Sequence, residues 1–132
     1  MKILVTYYSK TGNTAKIAEK IARELKADLD VTSFNEKTSE MNFNKEVDKY
    51  DLVIVGGPVQ AFNLHPAMQI YLKKNKTKIN RVAFFCTYSL YVGNTFKTMK
   101  NLSKVPIAEL KIKSGKLNSS ENQIKEFCRG MR

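Results

Sequence analysis

What this sequence lacks narrows its chemistry before any motif is considered. Its two cysteines, Cys86 and Cys128, form no CxxC pattern and no metal-type spacing, which argues against a zinc site or a dithiol centre. A disulfide-stapled secreted scaffold is excluded too, so a reducing, cytoplasmic setting is expected. Six glycines are present, yet they form neither G-x-G-x-x-G nor G-x-x-x-x-G-K-[ST], so two common nucleotide fingerprints are ruled out. No apolar run approaches the roughly 20 residues of a membrane span. The stretch from Met1 turns polar at Ser9, too early for a secretory signal. Carboxylates are scarce in half of the chain. Residues 1–66 hold nine basic and nine acidic residues and residues 67–132 hold fourteen and three, so the net charge of +11 lies entirely in the second half. Such asymmetry suggests an acidic partner, nucleic acid or an anionic surface, and does not bear on fold.

What is present is enough for a core. With 42% apolar and 27% charged residues and no linker, repeat or low-complexity tract, residues 1–132 are expected to form a single domain. Three near-continuous apolar runs, 2–8, 51–57 and 81–88, read as strands buried on both faces, the mark of a parallel sheet. Two further segments alternate. Residues 29–34 put Leu29, Val31 and Ser33 on one side, and residues 107–112 set Ala108, Leu110 and Ile112 against Ile107, Glu109 and Lys111. Alternation belongs at sheet edges, where one face is wetter.

Helical spacing fills the gaps: Ala18, Ile21, Ala22 and Leu25; then Ala67, Ile70 and Tyr71 behind Pro66, which suits a first helical position. Phe96, Met99 and Leu102 mark a short third helix. Ile124, Phe127, Cys128 and Met131 mark a fourth, with Ser119 or Ser120 as its cap. Residues 35–47 read as loop with room for one helical turn. Five strand–helix alternations predict an α/β fold: a doubly wound five-stranded parallel sheet of order 2-1-3-4-5 with helices on both faces. Its switch point lies between the first and third strands, where ligands bind at the carboxyl ends.

The turn after the first strand sits at that crevice, and it crowds Ser9, Thr11, Asn13 and Thr14 around Gly12. A helix start offers orphan N–H groups and the positive end of a dipole, both favourable to an anion. Neutral hydroxyl and amide donors would complete a monophosphate site without arginine. An ordinary helix cap needs only one such residue, and the turn considered alone leaves both readings open.

Context favours the anion. The string Ser9-Lys10-Thr11-Gly12-Asn13-Thr14 resembles the phosphate loop of flavodoxins, S/T-x-T-G-x-T, at every fixed position. Residues 50–62 resemble that family's third strand and the loop before the flavin ring, and residues 82–94 resemble its fourth strand and the loop on the ring's other side. The resemblance covers nearly the whole chain and implies flavin mononucleotide (FMN), bound non-covalently. Ser9, Lys10, Thr11, Gly12, Asn13 and Thr14 take the phosphate positions, Lys10 mainly through its backbone. Pro58, Val59, Gln60, Ala61, Phe62 and Asn63 take the first ring loop, and Cys86, Thr87, Tyr88, Tyr91, Gly93 and Asn94 the second. Gln60 stands where the family commonly carries Trp, which leaves one ring face to Phe62 or an aliphatic contact and the other to Tyr88 or Tyr91. The family is typically acidic around the ring, whereas this chain has no carboxylate between Gly56 and Gly93. With no insertion in the fifth strand, it resembles the short-chain members.

The single histidine, His65, precedes Pro66 and reads as a helix cap, with a proton role near the ring left open. Cys86 at the end of a buried strand and Cys128 on an apolar stripe read as small hydrophobes. The resemblance implies a non-enzymatic single-electron carrier, with redox chemistry supplied by the cofactor. The alternative is an FMN-dependent NAD(P)H:quinone or protoporphyrinogen oxidoreductase of the same fold. A third reading, a flavin-free nucleic-acid-binding or regulatory domain, has against it the intact phosphate loop and the lack of basic–aromatic interleaving. The expected partner of a monomeric carrier is an acidic redox protein, docked through Lys97 and Lys100 and steered by Lys73, Lys74 and Lys76, with no membrane partner expected and nucleic acid disfavoured.

Overall fold

The structure, a computed structural model, describes residues 1–131. Its elements are β1 (Ile3–Tyr7), α1 (Asn13–Leu25), β2 (Asp28–Val31), β3 (Ser33–Phe34), β4 (Met41–Asn42), β5 (Leu52–Gln60), β6 (Asn63–Leu64), α2 (Pro66–Asn75), β7 (Val82–Tyr88), α3 (Thr95–Leu102), β8 (Glu109–Lys113) and α4 (Glu121–Arg129), with short 3-10 turns at Val47–Lys49 and Ser114–Ser119. The main sheet runs β2-β1-β5-β7-β8 with every neighbour parallel, and β6 folds back antiparallel on the end of β5. Counting only the five principal strands, this is the expected order 2-1-3-4-5. No helix among the described residues is long and apolar enough to cross a membrane.

The central strands are apolar throughout because they feed two cores. Ile3, Val5 and Tyr7 of β1, Leu52 and Ile54 of β5, and Ala83 and Phe85 of β7 face α1 and α4, where they meet Ile17, Ile21, Ile124 and Phe127. The alternate residues, Leu4, Val53, Val55, Val82 and Phe84, face Met68, Tyr71 and Leu72 of α2 and Met99 of α3. Helices therefore cover both faces, as the run pattern requires. Gly56 is glycine for packing: a Cβ there would lie 2.0 Å from Cζ of Phe85. The β8 edge alternates as read, with Leu110 and Ile112 buried between exposed Glu109, Lys111 and Lys113.

The other edge departs from the reading. β2 ends at Val31, which is exposed, and the side chain it buries is Asp30. Asp30 is stable there because its carboxylate accepts backbone N–H groups of Asn44 (3.0 Å) and Lys45 (2.7 Å). At Thr32 the chain turns off the sheet, with its N–H and Oγ1 both donating to the Tyr7 carbonyl. Ser33 and Phe34, expected to continue the second strand, instead pair with Met41 and Asn42, expected as loop, in a small hairpin. The cap of α4 also differs: Ser120 holds the cap position, but its hydroxyl donates back to the Leu117 carbonyl at 2.6 Å.

Candidate functional site

Three turns meet at the carboxyl end of the sheet. After β1 the chain passes through Gly12 at φ +92°, a left-handed conformation that favours glycine, and enters α1 directly. Ser9 organises this turn from inside: its Oγ accepts the N–H groups of Gly12 (3.1 Å) and Ala15 (3.2 Å) and keeps its own hydrogen as a donor. The backbone N–H groups of Thr11, Asn13 and Thr14, the Thr11 hydroxyl and the Asn13 amide have no protein acceptor among the described residues. Thr14 contributes only its backbone, because its hydroxyl is buried and shares a 2.7 Å hydrogen bond with that of Thr87 on β7. A cap would satisfy the first turn of α1, whereas this turn leaves it open to a guest.

The second turn is the two-residue hairpin Ala61–Phe62 between β5 and β6. Both residues have positive φ, 52° and 61°, a strained choice for non-glycine residues. The third turn, after β7, is clamped to the second. Asn94 N–H donates to the Phe62 carbonyl at 2.9 Å, and a Cβ on Gly93 would lie 2.1 Å from that same oxygen, so only glycine permits the approach. Phe62 and Tyr91 face each other with ring centroids 6.0 Å apart and planes inclined at 46°.

These turns enclose two adjoining clefts. A polar one of about 170 Å³ is lined by Lys10, Thr11, Asn13, Pro58, Val59, Gln60, Thr87, Tyr88, Ser89 and Ser114. An apolar one of about 160 Å³ is lined by Val59, Ala61, Phe62, Ser89, Leu90 and Tyr91. Larger hollows of about 660 and 550 Å³ lie over the β3–β4 hairpin and between β8 and α4, but they are shallow and share no residue with the three turns.

The expected residues therefore divide by role. Lys10, Thr11, Asn13, Pro58, Val59, Gln60, Ala61, Phe62, Thr87, Tyr88 and Tyr91 line the clefts, while Ser9, Gly12, Thr14, Gly93 and Asn94 shape them. Asn63 turns its Oδ1 to the Leu64 N–H. Cys86 does not reach the site: it is fully buried in β7, where burial pushes its thiol up to about 12. Of the two tyrosines, Tyr91 shares the apolar cleft with Phe62 and Tyr88 stands in the polar one. Ser89, Leu90 and Ser114 line the clefts beyond the expected residues. Ser114 immediately follows β8, at the same carboxyl end, and its hydroxyl donates to the Tyr88 carbonyl at 3.1 Å; its place at the carboxyl end of the last strand is the signal for it in the sequence.

His65 caps α2 behind this wall. Its Nδ1 accepts the Ala67 N–H at 3.1 Å, which places the ring hydrogen of the neutral form on Nε2. Nε2 is buried and lies 3.4 Å from Glu36 Oε1, within reach but off hydrogen-bond geometry. Burial holds the imidazole below its ordinary value, and Glu36 partly offsets this. Protonation would also cost the cap, since Nδ1–H cannot accept. His65 is a neutral structural cap that accepts through Nδ1, and the same Glu36 carboxylate holds Lys10 of the first turn at 3.6 Å.

The fit to FMN follows from these donors. Three unpaired N–H groups at a helix start, with Thr11 and Asn13 beside them, suit a phosphate monoester. A planar ring between Phe62 and Tyr91 needs about 3.5 Å on each side, roughly 7 Å in all, so one of these exposed rings must swing slightly. A parallel α/β domain with an anion-receiving turn and an aromatic cleft at its switch point is a nucleotide-binding protein of the doubly wound class. Residues 4–127 match the flavodoxin domain, and the chain belongs to that family.

Among solved structures, the chain resembles a flavoprotein from Lactobacillus acidophilus NCFM in complex with FMN, with TM-score 0.76 and 22% identity over 89% of this chain and 97% of that one. It also resembles two-electron reduced Megasphaera elsdenii flavodoxin, with TM-score 0.68 and 18% identity over 98% of this chain and 99% of that one. At these identities both bear on fold alone. A curated relative, protoporphyrinogen IX dehydrogenase (quinone) of Escherichia coli strain K12, is 29% identical over 80 residues, which is 61% of this chain and 43% of that protein's length.

Proposed function

We propose that this protein is a flavodoxin that binds one FMN and carries single electrons between redox proteins. The observation that carries this reading is the open donor set of the Ser9–Thr14 turn beside the Phe62–Tyr91 cleft. Thr11, Asn13 and the backbone of Thr14 would hold the phosphate, and Val59, Phe62 and Tyr91 would enclose the ring. When bound, FMN supplies the one-electron chemistry, and the protein binds it, orients it and sets its electrostatics. The clefts together sit at the low end of the roughly 300–1,000 Å³ typical of ligand pockets, which suits a cofactor and leaves little space for a separate substrate. The identity to a protoporphyrinogen dehydrogenase favours a second reading, an FMN-dependent oxidoreductase, for which an additional substrate would have to enter over the exposed Leu90 and Tyr91.

The partner of the carrier is an acidic redox protein, met at the cleft mouth. Lys97 lies in the first turn of α3, directly after the clamp at Asn94, and Lys100 lies one turn farther along; both are exposed. Electrostatic steering speeds such encounters by factors of about 10 to 1,000 and weakens as salt rises. The test is the electron-transfer rate with an acidic ferredoxin-like donor between about 20 and 500 mM salt. The rate should fall with salt, and fall again with Lys97→Glu and Lys100→Glu. A flat salt profile would refute the docking assignment.

A further inference from the structure

Six of the fourteen basic residues of the second half gather at the end of the molecule away from the cleft. α2 and α3 begin beside the cleft and run back toward the amino ends of the strands. α2 ends with Lys73 and Lys74 and is followed by Lys76; the turn into β7 adds Lys78 and Arg81, and the turn after α3 adds Lys104. All six are exposed, and none joins an ion pair among the described residues. No Asp or Glu occurs between Asp51 and Glu109, and Asp51 itself accepts the Lys2 backbone N–H at 2.6 Å.

Hydrogen bonds join these turns into one surface. Lys104 Nζ donates to the carbonyls of Ile79 (2.5 Å) and Asn80 (3.2 Å), and Ile107 N–H donates to the Val82 carbonyl at 2.9 Å. Two aliphatic side chains project from the same region, Val105 at 74% and Ile107 at 45% exposure. The large aromatics that are exposed, Phe62 and Tyr91, lie at the opposite, cleft end.

We infer that this pole is a docking face for an anionic lipid bilayer, with the lysine cluster over the headgroups and Val105 and Ile107 dipping into the interface. Each part of the surface matches a part of the bilayer. Anionic lipids attract clustered lysines near the surface, by roughly fivefold in affinity per charge. Exposed aliphatics beside a basic cluster are what an interfacial contact buries. Nucleic acid is a poorer match, because single strands are held by stacking on aromatics and none is exposed at this pole. The geometry also keeps the cleft accessible, since the ten residues of α2 hold the two ends about 15 Å apart. The absence of a spanning helix does not conflict with surface docking. The proposal needs no bound flavin and stands apart from the electron-carrier reading.

Flotation with large vesicles tests it, using flavin-free protein and either pure phosphatidylcholine or phosphatidylcholine with about 30% phosphatidylglycerol, at roughly 100 mM salt. Binding should be at least about tenfold tighter to the anionic vesicles and should fall as salt rises. Lys73→Glu, Lys74→Glu and Lys78→Glu together should weaken it on the order of a hundredfold or more. Val105→Ser with Ile107→Ser, a pair of surface changes that should fold normally by circular dichroism, should weaken it several-fold. Lys97→Glu, in the first turn of α3 beside the cleft, should weaken it far less per charge than the three pole reversals. Equal binding to both vesicle types overturns the proposal. So does an unchanged affinity in the aliphatic variant, or a larger loss per charge from Lys97→Glu than from the pole reversals. Tighter binding to a DNA duplex than to anionic vesicles at the same salt would assign the face to nucleic acid instead and equally overturn it.

Discussion

Replacing Thr11 and Asn13 by alanine removes the two open side-chain donors of the first turn and leaves its architecture in place. Neither side chain has a hydrogen-bond partner among the described residues, so the fold should lose no more than about 0.5 kcal/mol, as for ordinary surface changes. Ser9 still ties Gly12 to Ala15, and the Thr14–Thr87 pair is untouched. A hydrogen bond to a charged group is worth about 1.5–3 kcal/mol. Two neighbouring bonds to one phosphate are not additive, so the double variant should bind FMN on the order of a hundredfold or more weaker. Riboflavin, which lacks the phosphate, should bind weakly to the wild type and equally weakly to the variant. Titration of both flavins by fluorescence quenching, with thermal melts to confirm stability, measures all four affinities. Riboflavin bound as tightly as FMN by the wild type would refute the phosphate assignment, as would a variant that loses both flavins in parallel. Thr14→Ala should behave differently: it leaves the buried Thr87 hydroxyl unpaired, so the main effect should be on stability, about 1–3 kcal/mol.

Other outcomes follow from the same geometry. Gly93→Ala should force apart the two ring-side turns and cost at least about 1–3 kcal/mol, read as a lowered denaturation midpoint and a weaker riboflavin affinity. Because burial depresses the His65 pKa in the folded chain, its contribution to stability is full above the ordinary value of 6.5 and is lost as pH falls below it; thermal melts from about pH 8 to 5 should show this loss, and His65→Asn, which can still cap α2, should flatten it. Lys97→Glu and Lys100→Glu should lower the potential for adding the second electron to bound FMN. A unit charge at about 10 Å and an effective dielectric near 40 is worth roughly 0.8 kcal/mol, so each reversal should shift the potential by on the order of 70 mV before screening, measured by spectroelectrochemistry.

The central strands were legible because burial on both faces leaves continuous apolar runs, and Val53, Val55, Val82 and Phe84 need no partner to be recognised. The edge at β2 was not. Its apparent apolar side, Leu29 and Val31, gives way to a buried Asp30, and what makes that burial tolerable comes from Asn44 and Lys45, fourteen and fifteen residues away. The first turn of the site was readable as a local crowd of donors, and the opposed Phe62 and Tyr91 as candidates for ring contacts. The clamp between Gly93 and Phe62 depends on two loops meeting, and the link from His65 through Glu36 to Lys10 depends on a hairpin no local pattern announces. Cys86 was placed in the ring loop by its position in the motif, but strand burial keeps it in the core. The charge split placed the excess of cations in the second half; the directions of α2 and α3 showed that six of those fourteen cations gather away from the cleft.

The central claim, a carrier without a substrate of its own, is tested most directly by offering the FMN-loaded protein two kinds of partner under anaerobic conditions. One arm supplies a photoreduced acidic ferredoxin and follows flavin absorbance; the other supplies NADPH or NADH with a soluble quinone and follows turnover. The account predicts rapid, stoichiometric reduction in the first arm and no catalytic turnover in the second. Sustained quinone reduction by a nicotinamide cofactor, with the ferredoxin arm inert, would contradict it.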